Sequence, residues 1–279
     1  MTIPIDFDFT QSNLQDYVDC AYRFYLRYIM HIKWPALLVD DAIDFEARAQ
    51  TGARFHRLIQ QYLSGVPEER VGDMAIADPT PEVSAWWHGF LTHVPPLLTG
   101  KRFVETTLST LLNGYRLIAK YDLVLVGEED GLIIFDWKTT QRQPKKETLL
   151  KRIQTRLYPL VLTLSGHDLN NGQPVPPEKI RMNYWFSSQP ESLVSTHYDP
   201  DSFLRDQAYF SNLIDEIRKK EPADFLRTDD LKKCRYCVYR SHCDRGIQAG
   251  DLAHFDEDAF FLDGDPLDIE FEEIPEIQF

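Results

Sequence analysis

Two apolar runs rich in strand-forming residues, 117–126 and 132–137, flank Gly127-Glu128-Glu129-Asp130-Gly131. β-branched and aromatic residues on both sides of a Gly/Asp cluster predict a β-hairpin. This feature constrains the chain most, because a hairpin fixes which residues of two strands face each other. It brings Asp122 on the first strand near Asp136 and Lys138 on the second. Two carboxylates and a lysine among apolar neighbours suit a hydrolytic site that holds a divalent metal and readies a water beside it. The other reading of Asp136 and Lys138 is a solvent-facing pair on an edge strand.

Upstream, residues 10–30 place Leu14, Tyr17, Val18, Ala21, Phe24, Tyr25 and Tyr28 at helical spacing, with a start signal at Thr10 or Ser12. Residues 44–63 predict a second helix, which carries His56. Residues 64–80, with Gly65, Pro67, Gly72 and Pro79, predict a loop. A third helix is expected over 81–98, with Trp86 and Trp87 in a core or an interface. Strands follow at 102–111 and 115–126. Glu105 on the first of these reads as a surface glutamate, the alternative being a further metal carboxylate.

Downstream of the hairpin, helical spacing is expected over 147–164 and 200–219, with strands at 178–187 and 192–198. Gln154 and Tyr158, four apart, share one helix face. Arg142, Lys145, Lys146, Lys151, Arg152 and Arg156 make a basic run beside the proposed metal site. It reads either as a track for the phosphates of a nucleic-acid strand or as a solvated helix start.

The four cysteines are Cys20 on the first helix and Cys234, Cys237 and Cys243 near the end. A disulfide framework is not expected in a cytosolic chain of this size. Four thiolates suit an iron–sulfur cluster or a zinc ion. Either would cross-link segments more than 200 residues apart and so restrict the unfolded chain.

The order Asp122, then Asp136-Trp137-Lys138, then Gln154-Thr155-Arg156-Leu157-Tyr158 resembles the PD-(D/E)XK nuclease superfamily, and the Gln-x-x-x-Tyr element resembles its RecB-like branch. The N-terminal pattern S-x-L-x-x-Y-x-x-C looks like the opening of AddB-type nuclease domains, with Ala21 where many relatives have proline. One early Cys plus a late Cys-x2-Cys-x5-Cys is similar to the iron-staple nucleases, including the CRISPR-associated RecB-like exonucleases. The resemblance covers most of residues 10–245. It implies an α/β, restriction-endonuclease-like core: a mixed central sheet flanked by helices, with a helical N-terminal region and a C-terminal cysteine cluster.

The same resemblance implies a role for each motif residue. His56, Asp122, Asp136 and the carbonyl of Trp137 would bind Mg²⁺ or Mn²⁺, Lys138 would orient the attacking water, and Gln154 and Tyr158 would position substrate. Cys20, Cys234, Cys237 and Cys243 would hold a structural 4Fe–4S cluster, with zinc as the alternative. The implied activity is hydrolysis of DNA, at single-stranded ends rather than at a chosen sequence. A catalytically inactive DNA-binding or scaffold subunit is the rival reading. No P-loop is visible, so any helicase motor or other repair partner would come from another chain.

The net charge of −14 is unevenly placed. Residues 251–279 hold 11 acidic residues and no Lys or Arg, which leaves 33 acidic and 30 basic residues elsewhere. A near-neutral nuclease domain over residues 1–250 and an acidic, Phe-containing tail are therefore expected. No apolar run approaches the roughly 18 residues of a membrane span, and no signal peptide is apparent, so a cytoplasmic protein is expected.

Overall fold

The computed structural model describes residues 3–32, 40–127, 131–140, 143–234 and 237–245, of which 40–46 are described by their backbone alone. The acidic tail and Arg142 lie outside the described residues. The expected mixed sheet flanked by helices is present. Its strands are β1 (Asp8–Phe9), β2 (Lys101–Leu112), β3 (Tyr115–Val126), β4 (Leu132–Lys138), β5 (Ile180–Phe186) and β6 (Leu193–His197). β3 pairs antiparallel with β2 and β4 and parallel with β1; β4 and β5 are parallel, and β6 closes antiparallel on β5. The parallel step from β4 to β5 requires a crossover, here made by α6 (Lys146–Leu150) and α7 (Ile153–Ser165).

Alternation along the strands divides the core in two. Leu132 and Ile134 of β4 and Met182, Tyr184 and Phe186 of β5 face α7, together with α1 (Gln11–Asp19) and α8 (Pro200–Lys219). Phe135, Trp137 and Trp185 face α3 (Asp40–Leu63) and α5 (Pro81–His93) on the opposite side. Burying both faces explains the near-continuous apolar reading of β4 and β5. By this alternation Asp136 and Lys138 fall on the α7 face.

The alternation inverts at one place. In β3, Tyr121 belongs to the α7-side core and Leu123 to the opposite one, although two residues normally return a strand to the same face. The inversion lies at Asp122, across from Glu105, whose φ of 49° is left-handed. The register is unbroken around it, with Val104 opposite Leu123 and Thr106 opposite Tyr121. A non-glycine residue in this conformation costs on the order of 1–3 kcal/mol and is held there by the pairing on both sides.

The first helix is shorter than its periodicity suggests. Thr10 accepts from the Asn13 amide and Asn13 accepts from the Thr10 amide, so the start is a reciprocal cap. α1 ends at Cys20, which is extended (φ −160°, ψ 104°), before α2 (Ala21–Phe24) and a π-helical turn (Tyr25–Ile29). The loop expected over 64–80 is corrected to a helix, α4 (Glu68–Ile76). Pro67 sits outside its first turn, where a missing N–H costs nothing, and Glu68 and Glu69 oppose the helix dipole favourably. Gly72 lies where a Cβ would come within 3.6 Å of the Trp87 indole nitrogen, so α4 and α5 approach closely there. The helix expected over 147–164 divides into α6 and α7, separated by Lys151 and Arg152. α8 has the expected span, opened by Asp199 accepting from the Ser202 amide at 2.6 Å and closed by Arg218 and Lys219.

Candidate active site and cysteine pocket

The hairpin of β3 and β4 sets Leu123 opposite Phe135, which carries Asp122 to the level of Asp136. The loop is closed by the Gly127 amide donating to the Gly131 carbonyl at 2.8 Å. Asp122 accepts from the Trp137 amide at 2.8 Å and lies 3.4 Å from Nδ1 of His56, which α3 brings in from the other face. Burial pushes the Asp122 carboxyl up, but His56, the Trp137 amide and Lys138 together hold it below the usual aspartate range.

Asp136 and Lys138 form a pair of their own. Lys138 Nζ is 3.0 Å from Asp136 Oδ2, and both side chains are less than a tenth exposed. Oδ1 of Asp136 accepts from the Gln154 side-chain amide at 2.6 Å. Gln154 reaches it from the first turn of α7. Tyr158, one turn on, is buried with its ring 5.0 Å from that of Tyr121, whose hydroxyl donates to the Tyr158 carbonyl. Beneath the pair lies Tyr184, in register with Asp136 on β5. Its hydroxyl is 2.7 Å from that of Thr155, and the Thr155 hydroxyl is 2.6 Å from the Leu149 carbonyl. Burial and then the Asp136 charge hold the Tyr184 phenol protonated.

Glu105 is a third carboxylate at this site. Its side chain is about one-fifth exposed and 3.3 Å from Lys120. Burial raises its carboxyl above the usual glutamate range, the charge of Asp122 raises it further, and Lys120 and His56 pull it back. The surface reading of Glu105 is thus corrected: the left-handed turn of β2 brings it beside Asp122. Its spacing on a strand next to the hairpin was the one signal in the sequence.

The donors fit a hard divalent cation by their chemistry, being carboxylates, a peptide carbonyl and one imidazole. Asp122 and Asp136 are turned to separate partners, however. Among the described residues, no group of three or more His, Cys, Asp or Glu side chains stands close enough to hold a metal ion.

The basic run splits in two. Lys145, Lys146 and Lys151 are exposed. Arg152 is buried beside Tyr184, and Arg156 is held 2.6 Å from Asp206 on α8 with its guanidinium 3.8 Å over the Tyr209 ring. Neither arginine runs along the surface as a continuous track would need.

Cys20, Cys234, Cys237 and Cys243 line one pocket, with Arg23, Lys233, Arg240 and Arg245 around them. Arg245 Nη1 lies 2.8 Å from the Cys234 sulfur. Burial pushes the Cys243 thiol up; Arg227 and Arg245 oppose this, and the neighbouring thiols Cys20 and Cys234 add to it. The segment bearing the three late cysteines is fastened to the N-terminal region by Lys233 on Asp19 at 2.6 Å, by the Tyr239 hydroxyl on the Ile32 carbonyl, and by the Tyr22 amide on the Leu226 carbonyl. Behind these contacts Asp16 holds Arg23 at 2.9 Å and Arg27 at 2.8 Å.

The family described as the PD-(D/E)XK nuclease superfamily matches this chain over residues 8–244. Among solved structures, a candidate exonuclease from Eubacterium rectale is similar at 10% identity, covering 75% of this chain and 79% of that one with a TM-score of 0.48. The protein SSO0001 is similar at 12% identity, covering 85% of each chain with a TM-score of 0.38. No curated protein matches.

Proposed function

Because the chain belongs to the PD-(D/E)XK nuclease superfamily, we propose that it is a metal-dependent deoxyribonuclease built on the restriction-endonuclease-like core described above. The observation that carries this reading is the buried Asp136–Lys138 pair, 3.0 Å apart on the strand that follows Asp122. Members of the superfamily generally use Mg²⁺ or Mn²⁺. Asp122, Asp136, His56 and the Trp137 carbonyl would hold the ion, with Glu105 beside them. When bound, the ion supplies Lewis-acid polarisation of a phosphoryl oxygen and lowers the pKa of a bound water.

The protein's own groups do the rest. Lys138 orients the attacking water and offsets charge building on the phosphate. Gln154 holds Asp136 in one rotamer through its 2.6 Å hydrogen bond. The exposed Lys145, Lys146 and Lys151 are the proposed phosphate contacts of the basic run. The proposed substrate is a DNA strand with a free end, by the likeness of Gln154 and Tyr158 to the RecB-like motif. Repair, recombination or CRISPR adaptation are the settings this implies, with any helicase supplied by another chain.

The cysteine pocket is proposed to hold a structural 4Fe–4S cluster through Cys20, Cys234, Cys237 and Cys243. Four cysteines lining one pocket with cationic side chains are the residue types such a negatively charged group uses, although the thiols do not stand at metal-holding distance from one another. A cytoplasmic location suits reduced thiols. Among the described residues, no helix is long and apolar enough to cross a membrane.

The test is a digestion of end-labelled single-stranded and duplex DNA with Mg²⁺ or Mn²⁺. The protein is purified without oxygen, and the Lys138→Ala variant runs beside it. Shortening of the labelled strand by wild type and not by the variant supports the reading. A wild-type protein that binds DNA and never cuts it moves the function to a DNA-binding or scaffold subunit.

A further inference from the structure

β2 is an edge strand. It pairs with β3, and among the described residues no strand pairs with its outer side. The turn that joins the two strands fixes which of its backbone groups are free. Asn113 and Gly114, with φ of 52° and 84°, make a two-residue loop, so Leu112 and Tyr115 beside it exchange hydrogen bonds. Alternation from there turns the amides and carbonyls of Thr107, Ser109 and Leu111 away from β3. The Ser109 carbonyl agrees, because it accepts from the Ser165 hydroxyl at the end of α7, at 2.8 Å. The outward groups of Thr107 and Leu111 make no backbone hydrogen bond to any other described element.

The two faces of this edge differ. Toward α7 lie Leu112, buried in the core, and Leu108 and Leu164, partly buried on its rim. The opposite face presents Thr107, Ser109 and Leu111, all exposed, with Arg116 and Lys120 of β3 behind them. Asp8 holds Arg116 and Glu105 holds Lys120. A long unpaired edge is a hazard that folded proteins cover or blunt. A segment that covered this one would carry free amides, an apolar row for the α7 side and, on the other side, a row that accepts hydrogen bonds from hydroxyls.

One stretch outside the described residues has that pattern. Leu267-Asp268-Ile269-Glu270-Phe271-Glu272 alternates strictly, apolar at odd positions and acidic at even ones. Alternation of period two is the signature of a half-buried strand. The stretch begins 22 positions beyond Arg245, the last described residue. That length of chain extends to roughly 70 Å, enough to reach any side of a domain of this size.

We propose that the outer edge of β2 is the docking site of residues 267–272 of this chain, added as a further strand beside residues 107–111. Leu267, Ile269 and Phe271 then extend the apolar row of Leu108 and Leu164. Asp268, Glu270 and Glu272 accept from the Thr107 and Ser109 hydroxyls, on the side of Arg116 and Lys120. Docking of this kind is independent of the nuclease reading.

The experiment reads amide hydrogen exchange residue by residue in the full chain, at two protein concentrations about a hundredfold apart. Wild type is compared with the double variant Ile269→Asp, Phe271→Asp, which removes the apolar row and leaves β2 intact. Wild type is expected to protect the Thr107 and Leu111 amides equally at both concentrations. The variant is expected to exchange these two about tenfold faster, the size of one lost hydrogen bond. Leu108 and Thr110, paired with β3, should be unchanged. A synthetic peptide of residues 264–275 added to the variant should restore protection. Thr107 and Leu111 amides that exchange in wild type as in an unstructured chain would overturn the proposal, as would protection that survives the double substitution. Protection that survives it and fades on dilution would assign the edge to a second copy of the chain instead.

Discussion

Glu105 and Asp122 lie opposite each other on β2 and β3 where the alternation of β3 inverts, and the charge of Asp122 helps raise the Glu105 carboxyl. The two respond in opposite directions. Asp122 sits below its usual range because burial is outweighed by His56, the Trp137 amide and Lys138, whereas Glu105 sits above it because burial and Asp122 act together.

This gives opposed pH dependences. Asp122 is depressed in the fold, so its contribution is present above the unfolded value and is lost as pH falls through the folded one. Glu105 is raised, so between its usual value of 4.5 and the folded value the native state binds more protons than the unfolded state. Stability therefore falls as pH rises through that window. Glu105→Gln should remove this slope and raise the denaturant midpoint at pH 7, which urea unfolding from pH 4 to 8 will read.

Lys138 and Asp136 are nearly buried, so removing either leaves the other charge uncompensated. Lys138→Ala is expected to lower the DNA-cutting rate by at least about a hundredfold. It is also expected to cost roughly 3–5 kcal/mol of stability, the usual consequence of halving a buried pair. Thermal unfolding of the same samples as the digestion separates the two effects, since a loss of rate with an unchanged melting temperature would contradict the pairing.

Replacing Cys20, Cys234, Cys237 or Cys243 singly by serine is expected to remove the broad visible absorbance of an iron–sulfur cluster and its iron content together. Lys233→Met should keep both. A colourless wild type carrying one zinc per chain would replace the cluster with the zinc alternative.

Gly100 has φ of 124°, and a Cβ there would fall 2.0 Å from the Val126 carbonyl oxygen. Gly100→Ala is thus both strained and obstructed at the point where β2 enters the sheet. We expect a loss of more than about 1 kcal/mol. Calorimetry showing an unchanged melting temperature would mean that β2 can move away from Val126.

Lys145, Lys146 and Lys151 are the exposed part of the basic run. Changing all three to Gln should flatten the plot of log affinity for single-stranded DNA against log salt by about two, at roughly 0.7 per phosphate contact. Changing Arg156, held on Asp206 and Tyr209, should alter stability more than this slope. Fluorescence anisotropy across a salt series distinguishes them.

The parts legible in the sequence were those set by near neighbours. The Gly/Asp cluster between two strand-forming runs specified the β3–β4 hairpin, and period-2 alternation put Asp136 and Lys138 on one face. Helical spacing over 200–219, ending in basic Arg218 and Lys219, marked the span of α8, whose Asp199 cap the structure supplied. α4 was missed because Pro67 and Gly72 read as breakers, although one lies just outside the helix and the other serves its contact with Trp87. The break at Cys20 was missed because apolar spacing continues through it, although the Cys20 backbone itself is extended.

By itself, the sequence determined the strand pair, the order of the motif residues and the number of thiols, because these follow from local propensity, pattern and count. The tertiary structure decided which polar groups meet. It turned Glu105 inward through a left-handed residue, buried Arg152 and tied Arg156 to Asp206, drew Cys20 beside cysteines more than 200 positions away, and set Gln15 against the start of α7. Such meetings depend on burying the apolar faces of distant elements together, and a buried polar group takes whatever partner that packing delivers.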